Sequence, residues 1–141
     1  PGDPDMKNKI NLKIKKRESF RPFAPSVLEE DSKRYFENID SPFMTFVVKI
    51  KKEYLNKFPA ITHVDGTSRL QTVTRDSNNL YYNLISEFKK ITGYGMILNT
   101  SFNENEPIID SPEQALSCFE RTNLDYLVIN KCILKKTSLV K

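Results

Sequence analysis

Histidine, cysteine and glycine are all scarce in this chain, and each scarcity removes a class of chemistry. One histidine, His63, is the whole supply of imidazole, and with two cysteines it leaves only carboxylates as metal ligands, without the spacing of a zinc or calcium site. The expectation is therefore no metal centre. Cys118 and Cys132 lie in apolar surroundings with neither zinc-site nor disulfide-framework spacing, and read as reduced core thiols. With only four glycines, the chain has no Walker-type loop and no dinucleotide fingerprint. No apolar run is long enough to cross a bilayer and no signal-peptide pattern occurs, so the sequence reads as a soluble, cytoplasmic protein without a membrane partner. There is no internal repeat or low-complexity tract.

What is present is charge, unevenly placed. The 22 Lys and Arg against 18 Asp and Glu give a formal net charge of +4, too balanced to indicate a nucleic-acid partner on charge alone. Nine of the cations fall in the first 34 residues: Lys7, Lys9, Lys13, Lys15, Lys16, Arg17, Arg21, Lys33 and Arg34. At 141 residues the chain fits one domain with a core of its own. Pro1-Gly2-Asp3-Pro4-Asp5 is not a natural translation start, and the expectation is a domain taken from a longer polypeptide.

Met6, Ile10 and Ile14 recur at helical spacing after Asp3-Pro4-Asp5 and predict an amphipathic helix whose end delivers Lys15 and Arg17. Pro22 and Pro25 favour an extended segment over residues 23–28, and a short helix is expected over 31–36. Residues 43–50, rich in Phe, Val and Ile, read as a strand, and extended structure restarts at Lys57-Phe58-Pro59. Residues 61–75 read as two strand pieces interrupted at Asp65-Gly66-Thr67. Asn78 or Asn79 caps a helix with an apolar stripe of Leu80, Tyr81, Leu84, Ile85, Phe88 and Ile91, stopped by Gly93. A buried strand follows over 95–100, Ser111-Pro112 opens another helix, and residues 124–134 close with a strand. The alternation indicates an α/β fold, a twisted mixed sheet with packed helices.

Two distant segments carry the candidate chemistry. The first, Lys15-Lys16-Arg17-Glu18-Ser19-Phe20-Arg21-Pro22-Phe23, is cationic; the second, Asn99-Thr100-Ser101-Phe102-Asn103, offers neutral amides and hydroxyls at a strand end. Arg supplies bidentate contacts and Lys a movable point charge, so the pair suits a polyphosphate or carbamoyl phosphate; a solvated basic loop with Glu18 as counter-ion is the other reading. Arg69 and Arg75 share a face if their strand is regular, and either could join an anion site or stand as exposed ladder residues. His63 is as well read as a hydrogen-bonded structural histidine as a general base, since a Ser–His–Asp triad has no nucleophile-elbow context here.

On these residues the chain resembles the C-terminal domain of the O-carbamoyltransferases that modify nodulation factors and antibiotics. The resemblance runs through Lys15-Lys16-Arg17-Glu18, Phe20-Arg21-Pro22-Phe23-Ala24-Pro25, Thr62-His63-Val64-Asp65-Gly66-Thr67, Arg69-Leu70-Gln71-Thr72-Val73, Leu98 to Asn103 and Glu106-Pro107-Ile108. That domain is similar to YrdC-like domains, whose signature of Lys-x-Arg followed distantly by Ser-x-Asn matches Lys15-Lys16-Arg17 and Ser101-Phe102-Asn103. The resemblance implies a YrdC-like fold that binds ATP with Mg2+ and carbamoyl phosphate and forms carbamoyl-adenylate. An N-terminal Kae1-like domain, metal-bearing in the family, then passes the carbamoyl group to a hydroxyl. It implies phosphate contacts from Lys15, Arg17 and Arg21, completion of the cationic site by Arg69 and Arg75, and nucleotide or carbamoyl phosphate binding by Thr67, Asn99, Ser101 and Asn103. Two other roles stay open on this reading, a non-catalytic nucleotide-sensing or packing domain and a YrdC-like RNA-binding or tRNA-modification module. The moderate charge and the lack of a basic-aromatic platform speak against RNA.

Overall fold

A computed structural model describes residues 1–37 and 40–136. Contacts divide the chain into two compact units: unit 1 holds Pro1–Lys7 and Phe20–Thr100, and unit 2 holds Asn8–Ser19 with the chain from Ser101 onward.

Unit 1 is a small α/β body around a three-stranded mixed sheet. β1 (Ala24–Leu28) is its centre, parallel to β3 (Gln71–Val73) and, on its other side, antiparallel to β4 (Met96–Asn99). A separate two-stranded ladder pairs β2 (Thr67–Ser68) with the two-residue strand Val48–Lys49, antiparallel. All five residues of β1 are buried, so both sheet faces are covered. Val27 packs with Met96, Tyr35, Phe58 and Leu70 on one face, where the Tyr35 ring meets Phe58 and Tyr54 edge-on at 5.5 and 5.1 Å. Leu28, Val73 and Ile97 form the other face, covered by Ile85 and Tyr81 of the helix α3 (Asn79–Thr92).

Local sequence accounts for these helix ends. The Asn78 side chain accepts from the Tyr81 N–H at 3.0 Å, and Gly93 at φ 79° closes α3 in the left-handed conformation. The shorter α2 (Glu29–Tyr35) starts with three acids and ends with Lys33 and Arg34, complementing the helix dipole. In α3 only part of the expected stripe is inward: Ile85 is buried, while Leu80, Leu84 and Ile91 are 82%, 57% and 85% exposed.

Unit 2 contains α1 (Met6–Lys13) from Asn8 onward, α4 (Pro112–Arg121), and the hairpin β5 (Tyr126–Ile129) with β6 (Cys132–Lys135). Ala115, Phe119 and Leu127 make its core, joined by Phe102, Ile109, Leu124 and Ile129. Ser111 caps α4 by accepting from the Gln114 N–H, with Pro112 in the first turn.

Several expectations differ from the structure. Residues 43–50 give only the strand Val48–Lys49 and a bridge at Ile50, because Phe43, Phe46 and Val47 are exposed and find no sheet to pair with. Lys57-Phe58-Pro59 lies in turns rather than extended chain, and His63 stands in a turn before β2. The single strand expected over 124–134 is a hairpin turned at Asn130, φ 52°, where asparagine tolerates the left-handed region. Of the two thiols, Cys118 is buried and Cys132 exposed, both unbridged. Among the described residues no helix is long and apolar enough to cross a membrane.

Gly95 fixes one close approach. A Cβ there would sit 2.1 Å from Asp31 Oδ2, a carboxylate already engaged by Lys89 Nζ at 2.7 Å. Gly95→Ala is therefore expected to destabilise the protein by about 1–3 kcal/mol, read as a lower urea midpoint at unchanged slope; an unshifted midpoint would show that the Asp31 side chain yields at no cost.

Candidate functional site

The polar cluster of unit 2 starts where α1 runs out. The Lys15 N–H reaches back to the Ile10 carbonyl at 2.8 Å and the Arg17 N–H to the Asn11 carbonyl at 3.0 Å. Between them Lys16 takes φ 45°, a left-handed conformation that costs a side-chain-bearing residue about 1–2 kcal/mol. The middle residue of Lys-x-Arg is thus a backbone hinge, and Lys15 and Arg17 do not leave one face of an extended chain as the two-residue spacing suggests.

Lys15 turns inward and is 3% exposed. Its ammonium donates to the Ser101 carbonyl, to Asn103 O and Asn103 Oδ1, both at 2.8 Å, and lies 3.3 Å from Ser101 Oγ. Two segments 86 residues apart therefore meet directly. Burial lowers the lysine pKa, and Arg17 lowers it further, against the opposing pull of Cys118 and Glu106. Three ammonium hydrogens face four neutral acceptors, a full complement for a buried lysine. Arg17 Nε donates to Oδ1 of the fully buried Asn11 at 2.8 Å, and Asn11 Nδ2 donates to the Ser19 carbonyl.

The Ser-x-Asn half is shaped by its middle residue and by two glutamates. Phe102 packs on the unit 2 core, which turns Ser101 and Asn103 to the opposite side. Ser101 Oγ donates to Asn103 Oδ1 at 2.6 Å, and Asn103 Nδ2 donates to the Glu106 carbonyl at 2.7 Å. Glu106 Oε2 accepts from the Glu104 and Asn105 N–H groups, while Oε1 receives Arg121 Nη2 at 2.9 Å. Its own main-chain N–H, then Arg121 and the Asn105 N–H, push the Glu106 carboxyl down to about 2. Glu104, its side chain 7% exposed, pairs with Lys16 Nζ at 2.6 Å and with Arg121 Nη1 at 3.6 Å. A cleft of about 310 Å³ beside Glu106 and Arg121 is lined by Ile108, Asp110, Gln114 and Ser117 as well.

The other candidates belong to unit 1. Arg21 is exposed after the cationic segment and Arg69 is exposed between β2 and β3. Arg75 lies beyond β3 with its guanidinium over the Tyr82 ring, 4.9 Å from the centroid, so Arg69 and Arg75 are not neighbours on one regular strand. Thr67 closes a turn on itself: its N–H and hydroxyl donate to Asp65 Oδ1 at 3.0 and 2.6 Å, and the hydroxyl lies 3.0 Å from His63 Nδ1. With its one hydrogen given to Asp65, the Thr67 oxygen receives the Nδ1–H, the arrangement of a structural histidine. Burial lowers the His63 pKa, Asp65 opposing and Arg69 assisting. Asn99 Nδ2 donates to Gln71 Oε1 at 2.6 Å on the sheet face.

Sequence reasoning missed Asn11, Glu104, Glu106, Arg121, Ser26 and Gln71. The acid pair spaced by two directly after Ser-x-Asn was the available signal, since loop acids beside a cationic segment are its natural counter-ions; nothing local marks Arg121 or Asn11.

Comparison with known proteins gives the family of the chain. Residues 1–136 match the family model described as carbamoyltransferase C-terminus, and the chain belongs to that family. It is similar to the nodulation protein NolNO of Sinorhizobium fredii, 52% identical over 92% of this chain and 20% of that protein. It is similar also to the nodulation protein NolO of Bradyrhizobium diazoefficiens, 49% identical over 96% of this chain and 26% of that protein. An uncharacterized protein of Methanocaldococcus jannaschii is 42% identical over 96% of this chain and 23% of its own length. The chain thus spans about a fifth to a quarter of the length of these relatives.

Two expectations follow. Lys16→Ala removes the ion pair to a nearly buried carboxylate and keeps the left-handed strain, whereas Lys16→Gly removes both; in urea unfolding the glycine variant should be the more stable by about 1 kcal/mol. Because the folded-state Glu106 carboxyl sits at about 2 against an ordinary 4.5, its contribution to stability is complete above pH 4.5 and is lost as pH falls toward 2. Stability measured against pH for Glu106→Gln should lack that acid limb.

Proposed function

We propose that this chain is the C-terminal domain of an O-carbamoyltransferase that binds ATP and carbamoyl phosphate and forms carbamoyl-adenylate, for transfer to an acceptor hydroxyl by an N-terminal Kae1-like domain. The observation that carries this is the meeting of Lys15 with Ser101 and Asn103 in a chain of the carbamoyltransferase C-terminus family. The overall reaction consumes carbamoyl phosphate, ATP and one water and yields carbamoyl-adenylate, pyrophosphate and phosphate. Water cleaves the bond between the carbamoyl group and its phosphate, releasing phosphate and leaving carbamate; a carbamate oxygen then bonds to the α-phosphorus of ATP as the bond from that phosphorus to pyrophosphate breaks. Such chemistry needs charge neutralisation and alignment more than a protein nucleophile.

In this reading Lys15 and Arg17 face the phosphates, Ser101 and Asn103 supply directional hydrogen bonds, and Glu104, Glu106 and Arg121 hold the loop that carries them. Arg21, Arg69, Arg75, Thr67 and Asn99 of unit 1 have the nucleotide and carbamoyl phosphate contacts that the resemblance implies. Mg2+ enters with the phosphates of ATP, since among the described residues no three His, Cys, Asp or Glu side chains are grouped to hold an ion.

One observation favours the non-catalytic packing alternative: the Lys15 ammonium has neutral protein acceptors for all three of its hydrogens, so phosphate must take over at least one. Calorimetry and pyrophosphate release separate the readings. ATP with Mg2+ should bind, Lys15→Met should weaken it about tenfold or more, and pyrophosphate should appear only with carbamoyl phosphate. Binding without release assigns the sensing role, and undiminished binding by Lys15→Met removes Lys15 from the site. The chain by itself should not carbamoylate an acceptor.

A further inference from the structure

The three strands of the unit 1 sheet each send one polar side chain to the same end of one face. Ser26 and Gln71 are paired across β1 and β3, and Asn99 pairs with Ala24, two residues from Ser26, so all three share the face that carries Leu28, Val73 and Ile97 under α3. The group is neutral, and its hydrogen bonds run in one order. Gln71 Nε2 donates to the Pro42 carbonyl at 3.2 Å. A carbonyl only accepts, so this bond fixes which end of the Gln71 amide is nitrogen. Gln71 Oε1 then accepts from Ser26 Oγ at 2.8 Å and from Asn99 Nδ2 at 2.6 Å. Asn99 Nδ2 also points to Met44 Sδ at 3.3 Å, which uses both of its hydrogens and turns Asn99 Oδ1 away from the network as an acceptor.

The segment supplying Pro42 and Met44 is anchored. The Ser41 N–H donates to Thr72 Oγ1 at 3.1 Å, the Ser41 carbonyl receives the Thr72 N–H at 2.9 Å, and Thr72 Oγ1 donates to Asp40 Oδ1 at 2.7 Å. Met44 holds φ 57°, a conformation that a long side chain keeps only when its surroundings demand it. Phe43 beside it is 83% exposed.

We infer that Asn99 Oδ1 is the acceptor for a conjugated amino group of the ligand, N–H on a planar sp2 carbon, with Gln71 and the Pro42 carbonyl as the positioning groups that set its direction. The inference rests on the proposed nucleotide and carbamoyl phosphate binding and deepens it. Two ligands of that reading carry such a group, the adenine of ATP and the carbamoyl of carbamoyl phosphate. A ligand with a carbonyl in place of the amine sets acceptor against acceptor, and one with a methyl leaves Asn99 unpaired, so both are rejected.

The experiment is calorimetry on this chain with two ligand pairs, ATP against ITP and carbamoyl phosphate against acetyl phosphate, for the unaltered protein, Gln71→Leu and Asn99→Leu. The amino member of one pair should bind about tenfold more tightly, and the pair that discriminates identifies the source. Both variants should collapse that ratio toward one by weakening the amino ligand alone, a change that general loss of structure would not give. If ATP binds but neither pair discriminates, this inference is overturned and the nucleotide reading stands. If no ligand binds the unaltered protein, the nucleotide reading itself fails. A ratio that survives Gln71→Leu removes Gln71 from the positioning role, and Asn99→Leu then decides for or against Asn99.

Discussion

A buried ammonium ion needs its acceptors in place before it leaves water, and Lys15 is the ion on which unit 2 is organised. Its partners are neutral carbonyl, hydroxyl and amide oxygens, so solvation lost by a charge is replaced by dipoles held in fixed directions. The surrounding features serve that replacement. The Lys16 hinge sends one side chain inward and the next outward, Phe102 pins the middle of the Ser-x-Asn segment, and Glu106 ties the following turn through its carboxylate and its carbonyl.

The two units treat polarity in different ways. Around Lys15 the charges form an alternating set, Lys16 to Glu104 to Arg121 to Glu106, in which each carboxylate has a cation. On the unit 1 sheet the polar group is uncharged, and order comes from donor and acceptor complementarity alone.

Much of this was legible where the signal is local. Asn78 and Gly93 bound α3, Ser111-Pro112 opens α4, and the proline-flanked segment before Leu28 is the central strand. The encounter of Lys15 with Ser101 and Asn103 was legible as a pairing of complementary chemistries, although neither segment states which atoms meet. Residues 43–47 were misread because apolar composition measures fitness for burial, and that segment is held by hydrogen bonds at its start while Phe43 and Phe46 face outward. His63 and Arg75 were misplaced for a related reason: alternation implies a shared face only within a strand, and the pairing starts at Thr67, after His63, and ends at Val73, before Arg75. Asn130 was a turn signal inside an apolar run, overridden by the apolar residues on either side of it.

Unit 2 is assembled from two stretches of chain, Asn8–Ser19 and the part from Ser101 onward, with all of residues 20–100 between them. On a ribosome the cationic stretch emerges long before its acceptors are made, and closing a loop of that length carries an entropic cost that local helix contacts do not. Unit 1 has nearly all its residues available first, so the order of synthesis favours its folding while Lys15 is still hydrated. Lys15 and Lys16, made long before Ser101, Asn103 and Glu104, are therefore among the last groups to find their partners.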